Sequence, residues 1–113
     1  MKQARTYALL CNWMHSAIDF NGLARYIADS RLFDAWWNYI PYVFLVESNL
    51  NPTDIARVLS PYTKDAFLLV VEINPASADG LLPKEAWDWI RDRVQRRLDL
   101  DMLMNVQPNA LPG

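Results

Sequence analysis

Hydrophobic positions along this chain change period several times, and each change marks an element. Thr6 to Trp13 is a short, nearly continuous apolar run, which predicts a buried central strand. Met14 to Ile18 reads as a loop. Asp19 or Asn21 can then cap a helix in which Phe20, Leu23, Ala24 and Ile27 recur at helical spacing, ending between Asp29 and Phe33. Gly22 is a weakness in its first turn. Asp34 to Tyr39 and Tyr42 to Ser48 are dominated by aromatic and β-branched residues and predict two strands around Ile40-Pro41. Pro41 has no backbone donor and belongs at a turn or an exposed edge.

The clearest helix start follows. Asn51 caps it, Pro52 takes the first helical position, and Asp54 favours the positive end of the dipole. Ile55, Val58, Leu59 and Tyr62 fall at i, i+3, i+4 and i+7, the pattern of a helix lying on a sheet. Ala66 to Ile73 predicts a fourth strand, apolar enough for a central place. After a loop from Asn74 to Gly80, a third helix starts around Leu82-Pro83-Lys84-Glu85, with Trp87, Ile90, Val94 and Leu98 as its apolar stripe. Beyond Arg97 two readings compete. Leu98, Leu100, Met102, Met104 and Val106 alternate with strand period, whereas the Leu and Met content suits a helix continuing to about Met104. The tail from Gln107 to Gly113, with two prolines, is expected to be loose.

This order predicts an α+β protein with the ferredoxin-like βαββαβ arrangement: a four-stranded antiparallel sheet with helices on one face, plus a C-terminal helix and an extra strand as the alternative for its end. A single domain over residues 1–113 is expected, with its core over about 6–92 and an extension over 93–113. Trp36 and Trp37 are adjacent, so in a strand they face opposite sides. The bare sheet face would display large aromatics and needs cover from the third helix or from a second copy of the chain. Trp36, Trp37, Tyr39, Leu100, Met102 and Met104 are the interface candidates.

Composition narrows the class. The chain has 113 residues, enough for one core, with 52% hydrophobic and 21% charged residues, ordinary globular usage. Five tryptophans argue for a folded chain with aromatics at packing or interface positions. A net charge of −2 excludes a global electrostatic attraction to nucleic acid and leaves only a local basic patch. Cys11 is the only cysteine, so no intramolecular disulfide forms; it reads as a small buried hydrophobe in a reducing compartment. The polar N-terminus is unlike a signal peptide, and no apolar stretch approaches the roughly 20 residues of a membrane span. A cytoplasmic protein without a membrane partner is expected.

The residues Ala35-Trp36-Trp37-Asn38-Tyr39, Val43-Phe44-Leu45-Val46 and Asn51-Pro52-Thr53-Asp54-Ile55, followed by Leu68 to Ile73 and Leu82 to Ile90, resemble the SinR-like proteins. These form a small ferredoxin-like family grouped with the CRISPR-associated spacer-acquisition protein that pairs with the integrase. The resemblance spans about residues 6–92 and implies a homodimer. In nuclease members of the group an aspartate ends the first strand, and the dimer brings two such carboxylates around a divalent ion. The matching position here is Asn12, whose amide oxygen carries no charge and holds a hard cation far more weakly. The resemblance therefore implies a non-catalytic homodimeric module that binds a protein or nucleic acid in a defence or mobile-element setting, with no cofactor and no metal. A metal-dependent nuclease is the first alternative, and a small-molecule sensor using the aromatic sheet face is the second.

Other chemistry-bearing residues are few. His15 follows the first strand but has no cysteine or histidine companions for a metal, and Asp19, its nearest acid, reads as a helix cap. Arg91, Arg93, Arg96 and Arg97 cluster on the third helix as a candidate phosphate or nucleic-acid patch. Asp88 and Asp92 lie among them, and the competing reading is a solvated face of ion pairs such as Asp92 with Arg96. With three glycines there is no phosphate loop, and no paired-cysteine or Ser-His-Asp pattern is present.

Overall fold

The computed structural model describes residues 4–11, 18–40, 43–64 and 66–110; within the last helix the side chains of residues 97, 100, 101 and 104–110 fall outside that description. The chain divides into two compact units, Met1–Ile73 and Asn74–Gly113.

The first unit runs β1 (Arg5–Cys11), α1 (Phe20–Asp29), β2 (Phe33–Ile40), β3 (Val43–Ser48), α2 (Pro52–Thr63) and β4 (Leu68–Ile73). Its four strands form one sheet in the order β2-β3-β1-β4, with every neighbouring pair antiparallel. Each helix joins two strands that are separated by a third, which is the split βαβ topology of the ferredoxin-like fold.

Both helices bury their apolar stripes on one sheet face. Leu23 and Ile27 of α1 and Ile55 and Leu59 of α2 pack with Tyr7, Leu9, Phe44 and Val46, all fully or almost fully buried. Removing a side chain of this size from water contributes about 1.5–3 kcal/mol, so this layer dominates the stability of the unit. Ser48 closes one end: its hydroxyl donates to the Leu32 carbonyl at 2.6 Å and accepts from the Leu50 N–H at 3.1 Å.

Local signals account for the helix limits. Asp19 caps α1 by accepting from the Gly22 N–H at 2.9 Å, and a Cβ at Gly22 would meet that carboxylate at 2.3 Å, so the glycine makes room for the cap. Asn51 caps α2 by accepting from the Asp54 N–H at 2.8 Å, with Pro52 in the first turn. Pro61 lies in the last turn of α2 and cannot donate to the Arg57 carbonyl four residues back. The Ser60 hydroxyl does so instead, at 2.9 Å. Lys64 then ends the helix at φ 52° and ψ −117°, and its N–H bonds the Ser60 carbonyl at 2.9 Å.

Two sequence expectations are corrected. The fourth strand is not central: among the described strands it pairs only with β1, at the edge of the sheet. Its apolar composition suits a central strand, but in this topology β1 and β3 hold the interior. The second correction falls in the other unit, which comprises a short 3-10 turn, Pro75–Ser77, and α3, Lys84–Ala110. Asn74 caps the turn through the Ala76 N–H at 3.0 Å, and α3 passes unbroken through the residues with strand period. The extra strand is therefore absent. Extending an existing helix fixes one residue per hydrogen bond gained, and Leu and Met resist it least. At 100° per residue, alternate apolar residues wind around the helix rather than lining one side, which leaves Leu98, Met102 and Leu103 exposed.

Candidate functional site

Asn12 and His15 lie outside the described residues. Elsewhere, among the described residues, no group of three or more His, Cys, Asp and Glu side chains is placed to hold a metal ion.

Two of the four arginines of α3, Arg91 and Arg93, are held by acidic neighbours. Arg91 pairs with Asp88, which also accepts from Lys84 at 2.8 Å. Lys84 first and Arg91 after it hold the Asp88 carboxyl below its ordinary range. Arg93 is buried; its guanidinium lies 4.8 Å from the centre of the Trp89 ring and pairs with Asp92. Arg96 is exposed, and the side chain of Arg97 lies outside the described residues, as do those of Leu100 and Met104.

The aromatic candidates separate by face. Trp36 is the Cα partner of Val46, so it lies on the helix-bearing side, whereas Trp37 is the partner of Leu45 and lies on the other. Trp37 is only 5% exposed, with Tyr39 edge-on to it at 5.5 Å. Trp36 is 39% exposed, and its ring centre is 6.0 Å from that of Phe44, which in turn is 6.1 Å from Phe20. These rings, with Ala24 and Asn38, line an open groove of ≈ 450 Å³ between α1 and β2. Asn38 fixes its rim by donating to the carbonyls of Ile40 and Val43, both at 2.9 Å.

A second surface was not singled out by the sequence pattern. On the sheet face opposite α1 and α2, Leu10 is the Cα partner of Leu69, and Ala8 is the partner of Val71. Leu69 is 57% exposed, Leu10 and Val71 are also exposed, and Phe67, just before β4, is 89% exposed. Side chains of this kind in one neighbourhood form a contiguous apolar patch on the β1–β4 side of the sheet. A signal existed: the run from Ala66 to Ile73 is more apolar than an edge strand needs.

Among the described residues, the surfaces that stand out are apolar and aromatic. No protein-family model, curated protein or solved structure matches this chain.

Proposed function

We propose that this protein is a non-catalytic, homodimeric ferredoxin-like module that works by binding a macromolecular partner, as its resemblance to the SinR-like proteins implies. The observation that carries the reading is the apolar patch of Leu10, Phe67, Leu69 and Val71 on one side of a well-packed sheet. Exposed apolar patches of this kind are a feature of protein contact surfaces. Arg91 pairs with Asp88 and the buried Arg93 with Asp92, which reduces the cationic surface that α3 offers a nucleic acid and favours a protein as the partner.

Light scattering on the purified protein tests the dimer. A mass of two chains is expected at tens of micromolar, and a mass of one chain overturns it. Incubation with single- and double-stranded DNA and RNA plus magnesium or manganese tests the absence of catalysis. Intact substrates are expected, whereas cleavage lost in Asn12→Ala would establish the nuclease alternative. The groove between Phe20, Trp36 and Phe44 favours a second reading, a sensor of a flat apolar small molecule. Quenching of Trp36 fluorescence by a screened aromatic ligand, lost in Trp36→Leu, would support that reading.

A further inference from the structure

We propose that two copies of this protein join through their β4 strands, antiparallel and edge to edge, to make one continuous eight-stranded sheet. The proposal rests on the homodimer above and names the surface that forms it.

The two edges of the sheet are built differently. The pairing of β2 with β3 is interrupted twice, between Phe33 and Ala35 and between Trp37 and Ile40. Irregularities of this kind bend an edge away from incoming strands. The pairing of β4 with β1 is regular over six consecutive residues, Leu68 to Ile73. β4 contains no proline and no lysine, and its one charged residue, Glu72, already pairs with Arg5 at 3.4 Å. A regular apolar edge without proline, lysine or a bulge in the strand is a template for another strand. A copy of the same strand satisfies it with a closed two-fold contact, which stops at two chains and does not propagate.

Charge and apolar pairing select the register. In a two-fold antiparallel pair, opposed side chains must share a face, so only alternate registers are allowed. Placing Val70 opposite Val70 of the partner subunit sets Leu69 against the partner's Val71, and Val71 against the partner's Leu69. The two Glu72 side chains then lie about 14 Å apart, beyond the Debye length of roughly 8–10 Å at ordinary ionic strength. Shifting to Val71 opposite the partner's Val71 brings the glutamates to diagonal neighbours about 7–8 Å apart. One further step sets them face to face. A shift the other way, to Leu69 opposite the partner's Leu69, keeps the glutamates apart but pairs only Leu68 to Val70 within β4, against Leu68 to Glu72 in the first register. The first register is therefore the one that pairs the longer stretch and extends the apolar stripe without like-charge repulsion.

Two single-cysteine additions at exposed positions, Leu69→Cys and Val71→Cys, test the register in the full chain. Each is purified separately; the two are then mixed and oxidised mildly, with the unsubstituted protein as the control for Cys11. The expected result is a two-chain mass by light scattering and a disulfide between the unlike chains that forms several-fold faster than either self-crosslink. A two-chain mass in which a self-crosslink forms faster than the mixed disulfide overturns this register, and one in which no crosslink is favoured overturns the β4 pairing, in both cases leaving the homodimer standing. A one-chain mass overturns both.

Discussion

The Tyr7 hydroxyl, on β1, donates a 2.7 Å hydrogen bond to the Leu50 carbonyl in the segment that enters α2. Tyr7 has no exposed surface, and burial, with a smaller contribution from the charge of Glu72, pushes its phenol above the ordinary value, partly offset by Arg5. Tyr7→Phe keeps the ring but leaves a carbonyl without this donor, a loss of about 1–3 kcal/mol in chemical denaturation. The raised value also sets a pH dependence. The folded state holds the proton more tightly than the unfolded one, so this stability is complete below the ordinary phenol value near 10 and is lost as pH rises through the folded value. Tyr7→Phe should flatten the alkaline limb of a stability–pH curve, and an unchanged limb would refute the assignment.

Asn51 holds the first turn of α2 through the Asp54 N–H. Asn51→Ala should lower stability by about 1 kcal/mol, and Asn51→Asp should retain most of it. Urea midpoints within error of the parent in both variants would show that the cap contributes nothing.

Lys64 adopts φ 52° with ψ −117°, a conformation that a side chain opposes and glycine does not. Lys64→Gly should therefore stabilise the protein, by about 1 kcal/mol. A lower melting temperature for this variant would mean that the lysine side chain contributes more than its backbone strain costs.

Asp88 is held in its charged form by Lys84 and Arg91 on the surface of α3. A lowered carboxylate contributes stability that is present above its ordinary pKa and lost as pH falls through the lowered one. Carboxyl NMR titration should find Asp88 below the ordinary aspartate range, and Lys84→Met should move it upward. No movement would assign the effect to Arg91 instead.

What the sequence determined by itself were features that act over one or two turns of chain. The caps at Asp19 and Asn51, Pro52 at a helix start, and the stripes of α1 and α2 depend on neighbours within about four residues. Periodicity and element order also carried the ferredoxin-like topology, because few connections between such elements are allowed. Only the tertiary structure decided the rest. The period of two places Trp36 and Trp37 on opposite faces but says nothing about which of them the fold buries. Arg93, read as one member of a charged cluster, is buried beside Trp89. The alternation from Leu98 to Val106 yielded to the helix already running into it. The run from Ala66 to Ile73 looked like a central strand because hydrophobicity reports how much apolar surface a segment carries, not where it is placed. Strand position is fixed by pairings with β1, more than 55 residues away in sequence, and these left β4 at the edge with Leu69 and Val71 exposed.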